Sequence, residues 1–169
     1  MRLRLECMQR MLDSEIKELK NGEMIVCDAY NLPSKKVITI LGPNMNEKKR
    51  NIDFNIESVS HKNVIEPILV CEKIVKNMQK HNLDSKDIAD LALCYINSLY
   101  FAVNHKFSSI AFPSISTGLF GFPLQVAKYI AFYAVKNALK QMQNIGIDVI
   151  FNVFSREDFY EYESMFEQM

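Results

Sequence analysis

The chain has 169 residues, of which 49% are hydrophobic and 24% are charged, as expected for one domain with a buried core. Twenty basic and twenty acidic residues give a formal net charge of zero, which argues against charge-driven binding to nucleic acid or to an anionic membrane. No apolar run has membrane-spanning length, and the first residues lack the apolar segment of a signal peptide, so we expect a cytoplasmic protein.

The cysteines and histidines are spaced in a way that argues against a disulfide framework or a metal centre. Cys7, Cys27, Cys71 and Cys94 form no Cys-x-x-Cys pair, and the three histidines stand at no metal-ligand spacing from them. We therefore expect no disulfide and no bound metal, with the cysteines packed as small apolar side chains and the histidines near helix ends.

Hydrophobic periodicity predicts a helix over residues 2–20, where apolar side chains recur every three to four positions. A short strand over residues 23–26 and a buried strand over residues 36–41 follow, the second being rich in β-branched side chains. Residues 44–63 are polar without a clean period and are predicted to form a loop.

The second half of the chain alternates helices and strands. The predicted elements are a helix over residues 65–80 with Pro67 in its first turn, a helix from Asp84 or Ser85 to about His105, a strand over residues 109–113, a helix over residues 123–143, a buried strand over residues 147–154, and a last helix capped by Ser155 with Glu157 and Asp158 in its first turn. Parallel strands joined by helical crossovers show this order, which predicts an α/β fold.

The segment from Ser114 to Phe122 lies between a predicted strand and a predicted helix, where ligands bind in open α/β sheets. Gly118 and Gly121 allow backbone conformations that other residues resist, and successive N–H groups in such a turn form a nest for oxyanions. The loop contains no lysine or arginine. It is therefore predicted to bind phosphate through backbone dipoles, and a tight connecting turn is the alternative interpretation.

Five segments carry a resemblance to a known family. Residues 109–123 (Ser-Ile-Ala-Phe-Pro-Ser-Ile-Ser-Thr-Gly-Leu-Phe-Gly-Phe-Pro) resemble the strand and phosphate loop of macrodomains almost residue for residue. Residues 22–33, 37–43 and 151–155 are similar to three further strands and turns of that family. The last of these segments, together with residues 3–7, looks most like the zinc-dependent macrodomains of bacteria.

The resemblance implies an α/β fold in which a mixed sheet is flanked by helices in three layers. It implies ADP-ribose, or an ADP-ribosylated protein, as the ligand. Residues 116–120 would wrap the diphosphate, Phe120 would lie against the distal ribose, and Phe154 would stack on the adenine. The binding residues implied in this way are Ser114, Ile115, Ser116, Thr117, Gly118, Leu119, Phe120, Gly121, Phe122, Asn152 and Phe154.

The chain also departs from the family it resembles. Family members open with a strand bearing an aspartate that reads the adenine amino group, then an Asn-Ala-Ala-Asn-like turn and, in the zinc-dependent subclass, the cysteine and histidine ligands of the metal. Because no segment matches these, we expect one N-terminally truncated domain over residues 1–169, with about four strands, no zinc ligands and impaired hydrolysis. A central strand position between residues 36–41 and 109–113 would be empty unless these strands close up.

Three functions stay open at this point. The first is a binder of ADP-ribose, the second is a full ADP-ribosyl hydrolase whose translation starts upstream of Met1, and the third is a ligand-free interaction module. The last would associate through an open sheet edge, as a homodimer or with a partner chain. No catalytic residue is nominated, because Cys94 has the neighbours of a core residue and Ser116 has no histidine nearby in sequence. Asp28 and Asp158 fit a turn and a helix start.

Overall fold

The computed structural model describes residue 9 and residues 18–47, 54–142 and 145–168. The helix predicted over residues 2–20 falls mainly outside these ranges. Within them the strands are β1 (Met24–Asp28), β2 (Lys36–Ile40), β3 (Ser109–Phe112) and β4 (Asp148–Phe151). The α-helices are α1 (Lys62–Leu69), α2 (Glu72–Met78), α3 (Ser85–Asn104), α4 (Leu124–Gln141) and α5 (Arg156–Glu167), with short 3-10 turns at Met45–Glu47, Ile56–Ser58 and Gln79–His81.

The four described strands form two separate two-stranded sheets. β1 and β2 are antiparallel, with Met24 opposite Ile40, whereas β3 and β4 are parallel, with Phe112 opposite Phe151. The number of strands agrees with the prediction, but a single continuous sheet is wrong for the described residues. β2 and β3 do not close up, so the position expected to be empty between them is not filled by either strand.

Two strands predicted to be buried are only partly covered. Val37, Ile38 and Ile40 of β2 are half-buried, while Ile150 of β4 is 52% exposed. The prediction failed because each of these strands has a described partner along one edge, and a strand with one covered face buries only alternate side chains. The continuous apolar runs of the sequence therefore do not mark central strands.

The helix predicted over residues 65–80 is interrupted. α1 starts three residues earlier than expected, which places Pro67 inside it, and the chain leaves the helical conformation at Val70 and Cys71 before α2 begins. The N–H of Cys71 donates to the Ile68 carbonyl at 3.1 Å, which closes a tight turn at this point. No glycine or proline occurs between Pro67 and Pro113, so the sequence does not signal the break.

The core is built on α3 and α4, which pack against each other along their lengths. Asp84 caps α3 in a reciprocal manner, because its carboxylate accepts from the Asp87 N–H and its own N–H donates to the Asp87 carboxylate. Both helices contribute fully buried apolar side chains around Phe112 and Phe122. No helix among the described residues is long and apolar enough to cross a membrane.

Candidate ligand-binding site

The candidate site lies where β3 and β4 end. Since the two strands are parallel and Phe112 is opposite Phe151, the segments that follow them leave the sheet at the same edge. The first segment is the loop from Ser114 to Phe122, and the second contains Asn152 and Phe154. The structure thus brings together the two groups of residues that the resemblance implied.

The loop is closed by its own hydrogen bonds. The N–H of Phe122 donates to the Ser116 carbonyl at 2.9 Å, the N–H of Gly121 donates to the Gly118 carbonyl at 3.0 Å, and Thr117 Oγ1 donates to the Ser114 carbonyl at 2.9 Å. Left-handed backbone occurs at Gly121, with φ 69°, and at Ser116, with φ 64°. The sequence indicated Gly118 and Gly121 for this role; Gly121 has it, but the second left-handed position is Ser116 and not Gly118.

Five successive backbone N–H groups of the loop, those of residues 116–120, donate no hydrogen bond to any part of the chain that the structure describes. Unpaired N–H groups of this kind are satisfied by water or by a ligand. Gly118 is exposed, and the space around its Cα holds no atom that a Cβ would meet within 4 Å. The loop therefore has a row of unpaired donors whose middle, at Gly118 and Leu119, is exposed to solvent.

Met45 and Asn46, in the segment after β2, form hydrogen bonds to the loop. The N–H of Met45 donates to the Phe120 carbonyl at 2.8 Å, and Asn46 Nδ2 donates to the Leu119 carbonyl at 2.7 Å. A carbonyl shares its planar peptide unit with the N–H of the next residue, so these bonds hold the N–H groups of Phe120 and Gly121, the first of which is unpaired. Sequence reasoning missed both residues, because the only local signal was the Gly-Pro-Asn break after β2.

Tyr95 of α3 anchors the start of the loop. Its hydroxyl donates to the Pro113 carbonyl at 3.4 Å and accepts from the Ile115 N–H at 3.1 Å. The ring packs edge-on against Phe112, and burial raises the pKa of this hydroxyl, which therefore stays protonated. Nothing in the local sequence distinguishes Tyr95 from other apolar residues of α3.

Ser116 has a buried hydroxyl for which the described residues provide no hydrogen-bond partner. This hydroxyl lies against Gly42, where a Cβ atom would be only 2.2 Å from Ser116 Oγ. Gly42 is thus required for the close approach of the two segments. It is a further residue that the sequence did not single out.

The remaining predicted site residues differ in exposure. The side chains of Phe154 and Leu119 are fully open to solvent, at 106% and 95% exposed, and Phe120 is half-buried. Phe122 is 2% exposed and belongs to the core, so its side chain supports the loop and does not face a ligand. Asn152 is exposed, and its N–H continues the β3–β4 ladder by donating to the Phe112 carbonyl at 2.8 Å.

Ser155 follows Phe154 and caps α5, as predicted. Its hydroxyl accepts from the Asp158 N–H at 3.1 Å and donates to Asp158 Oδ2 at 2.6 Å. The second carboxylate oxygen of Asp158 lies 3.2 Å from Nζ of Lys128. The Ser155 hydroxyl, followed by Lys128, holds the pKa of this carboxyl below its usual range.

The sequence indicated that Cys94, Asp28 and Asp158 are not catalytic groups; Cys94 and Asp158 lie where it predicted, but Asp28 is the last residue of β1 and not part of a turn. Cys94 is fully buried in α3, and burial raises the pKa of its thiol to about 12, so it is not a thiolate at neutral pH. Asp28 forms an exposed ion pair with Lys36, and Asp158 lies in the first turn of α5. Neither carboxylate lies in the loop.

The histidines lie at helix ends, as predicted, with His61 at the start of α1, His81 at the end of a 3-10 turn and His105 at the end of α3. Among residues 18–47, 54–142 and 145–168, no three His, Cys, Asp or Glu side chains converge on a point where a metal ion could bind. The residues of these ranges therefore do not supply the ligand set of a zinc site.

A groove of about 700 Å³ lies elsewhere in the molecule, between the start of β1 and the end of α3. Its lining includes Glu23, Met24, Asn97 and Tyr100, and none of the predicted ligand-binding residues. The loop site is instead an open edge of the β3–β4 sheet.

Comparison with known proteins shows the family of the chain. A protein-ADP-ribose hydrolase of Staphylococcus aureus (strain MSSA476) is 28% identical over 166 residues, which cover 98% of this chain and 49% of that protein. The macro domain-containing protein CT2219 of Chlorobaculum tepidum is 45% identical over 73 residues, 43% of this chain and 42% of that protein. The chain thus spans about half the length of these curated relatives.

Solved structures of an Oceanobacillus iheyensis macrodomain have the same fold. The structure with ADP has a TM-score of 0.64 and 27% identity, covering 98% of this chain and 70% of that one. A mutant of the same macrodomain with ADPR also has a TM-score of 0.64, with 97% and 69% covered. The Macro domain family profile matches residues 2–71 and 67–131, more than half of the sequence. The chain therefore belongs to the macro domain family.

Proposed function

We propose that this chain recognises ADP-ribose, either free or attached to a modified protein, through the loop from Ser114 to Phe122. The observation that carries the proposal is the row of N–H groups over residues 116–120, which have no acceptor in the described part of the chain. A diphosphate offers several oxyanion acceptors to such a row. The ligand class agrees with the structures of related macrodomains with ADP and ADPR.

Backbone dipoles supply the electrostatic attraction in this proposal. The loop contains no lysine or arginine, and α4 begins directly after it, with Pro123 at the N-cap. The first N–H groups of a helix carry partial positive charge and favour an anion nearby. Neutral donors that are fixed in position lose little entropy when the diphosphate binds.

The second segment of the site would receive the nucleoside. The ring of Phe154 is exposed on the same edge of the sheet, where it can stack on an adenine, and Asn152 would line the same side. Stacking on an exposed aromatic ring contributes about 1–3 kcal/mol per base. Phe120, half-buried in the loop, would lie against the distal ribose.

The proposal extends to recognition and not to hydrolysis. In the ranges that the structure describes, Cys94 is a buried thiol, and the buried Ser116 hydroxyl has no base beside it. Release of ADP-ribose from a modified protein by the purified chain would contradict this part of the proposal. The hydrolase of Staphylococcus aureus is named for that reaction, so it is the appropriate positive control.

Isothermal titration with ADP-ribose tests the binding. We expect heat of binding and a thermal shift with ADP-ribose, a weaker response to ADP, and none to adenosine, which has no diphosphate. No heat and no thermal shift at millimolar ADP-ribose would overturn the proposal.

The free edge of β3 favours a second candidate function, association with another chain. The Phe112 carbonyl accepts a hydrogen bond from the Asn152 N–H on the side of β4. Successive residues of a strand direct their N–H and C=O groups to opposite edges, so those of Ala111 face away from β4. No strand in the described ranges pairs with that edge. Sedimentation across a wide concentration range tests this function, since a monomer at every concentration would contradict self-association through β3.

A further inference from the structure

Lys128 is buried although its side chain is charged. The side chain is 1% exposed, with Nζ 3.2 Å from Asp158 Oδ1 and in contact with Glu161 Oε2. An ammonium group removed from water is destabilising unless carboxylates compensate it. The two carboxylates come from the first two turns of α5, so the ammonium fixes α5 against α4.

The Asp158 carboxylate connects Lys128 to Ser155, which is next to the proposed adenine-stacking residue Phe154. Asp158 uses Oδ1 for Lys128 and Oδ2 for the Ser155 hydroxyl, which donates at 2.6 Å. The Asp158 N–H also donates to Ser155 Oγ, so two bonds hold this residue. Ser155 directly follows Phe154 in the chain, so these bonds hold the backbone next to the residue that carries the exposed ring.

The other end of the connection is the phosphate loop. α4 starts immediately after the loop, and Lys128 lies in its second turn. The side chain of Phe122 is buried in the core, and its N–H donates to the Ser116 carbonyl. The first two turns of α4 and the buried Phe122 therefore connect Lys128 to the loop.

We infer that Lys128 is a positioning residue, which sets the span between the ring of Phe154 and the N–H groups of residues 116–120. A ligand that contains both an adenine and a diphosphate must match this span, whereas a diphosphate alone uses only the loop. Lys128 thus selects for the adenine-containing ligand. The identity of the ligand rests on the proposed function, whereas the connection from Lys128 through Asp158 to Ser155 does not.

The span can be tested without a ligand. The chain contains no tryptophan, so Phe154→Trp introduces a single indole at the position of the ring. In that background, Lys128→Met removes the ammonium at similar side-chain length, and Asp158→Asn weakens the same connection from its other end. Glu161→Gln is the matched control, because Glu161 touches Lys128 but is not connected to Ser155 by any hydrogen bond in the described ranges.

Time-resolved fluorescence anisotropy, measured well below the unfolding transition of each variant, gives the first result. We expect Lys128→Met and Asp158→Asn to increase the nanosecond mobility of the indole, and Glu161→Gln to leave it unchanged. Equal mobility in all four proteins would overturn the inference. If Lys128→Met does not fold, Asp158→Asn decides alone.

Ligand titration gives the second result. We expect Lys128→Met to weaken ADP-ribose binding about tenfold and inorganic pyrophosphate binding by less than about twofold, both read as ratios of Kd. An equal loss for both ligands indicates general damage to the site and would overturn the selective role. If the Phe154→Trp protein binds neither ligand, the proposed function fails, and the anisotropy comparison still decides the role of Lys128.

Discussion

Gly42 and Ser116 approach each other so closely that a Cβ at position 42 would lie 2.2 Å from Ser116 Oγ and 2.9 Å from Ile115 Cγ2. The chain after β2 is thereby packed directly against the loop from Ser114 to Phe122. Met45 and Asn46 add hydrogen bonds to the same loop, so the position of its N–H groups depends on residues about seventy positions away.

Gly42→Ala is expected to displace the loop. Because two loop atoms would overlap the added methyl group, we expect the free energy of unfolding to fall by about 1–3 kcal/mol. ADP-ribose binding should weaken by at least about tenfold, equivalent to about 1.4 kcal/mol. Gly118→Ala is the matched control for stability, since a Cβ there meets no atom within 4 Å. Denaturation and calorimetry measure both quantities, and an unchanged affinity in Gly42→Ala would contradict the prediction.

Asn46→Ala removes the hydrogen bond to the Leu119 carbonyl at 2.7 Å. We expect a loss of about 0.5–1.5 kcal/mol in stability together with weaker ADP-ribose binding, because the adjoining N–H groups lose their support. Asn137 makes a bond of the same kind, from Nδ2 to the Val64 carbonyl at 3.2 Å, away from the loop. Asn137→Ala should lower stability alone. Equal affinities in the two variants would show that Asn46 does not support the site.

Phe154→Ala tests the proposed contact with adenine. Because the ring is fully exposed, the free energy of unfolding should change by less than about 0.5 kcal/mol. The affinity for ADP-ribose should fall by about 1–3 kcal/mol, with pyrophosphate binding unaffected. Tyr160→Ala removes another exposed ring, on α5, and serves as the control. A loss of affinity for both ligands would assign Phe154 a role in the loop and not in stacking.

The buried thiol of Cys94 is expected to make the free energy of unfolding depend on pH in the alkaline range. Burial raises the pKa of its thiol to about 12, so the unfolded chain releases this proton at lower pH than the folded chain. The contribution is present below the ordinary thiol pKa and is lost as the pH rises towards the folded value. Stability should therefore fall above about pH 9, with at most about 1.4 kcal/mol per pH unit from this group. In Cys94→Ala, denaturation at several pH values should give a smaller slope, and an identical slope would contradict the assignment.

The hydrogen-bonded carboxyl of Asp158 is expected to make the free energy of unfolding depend on pH in the acidic range. Its pKa is lowered by the Ser155 hydroxyl and by Lys128, so its contribution is present above the ordinary carboxyl pKa and is lost as the pH falls through the folded value. Asp158→Asn should be less stable than the parent at neutral pH and should lose less stability on acidification below about pH 4. Asp148→Asn, at the start of β4, is the control. Parallel acid denaturation curves for Asp158→Asn and the parent protein would contradict the prediction.

Local chemistry explains why much of the chain could be predicted from its sequence. Ser155 caps α5, Asp84 caps α3, and the strand–loop–helix order around Gly118 was visible because these signals depend on neighbouring residues. The break at Val70 was missed because no glycine or proline marks it, and the left-handed conformation of Ser116 was missed because it is imposed by bonds within the folded loop.

The sequence by itself determined the α/β order of elements, the loop between β3 and α4, and the buried character of Cys94. Only the tertiary structure showed that the described strands form two sheets, that Gly42, Asn46 and Tyr95 support the loop, and that Lys128 joins α4 to the turn beside Phe154. The physical reason is the distance along the chain at which each relationship acts. Caps and periodicity act within a few residues, whereas a close approach or a buried ion pair joins segments whose separation in sequence carries no signal.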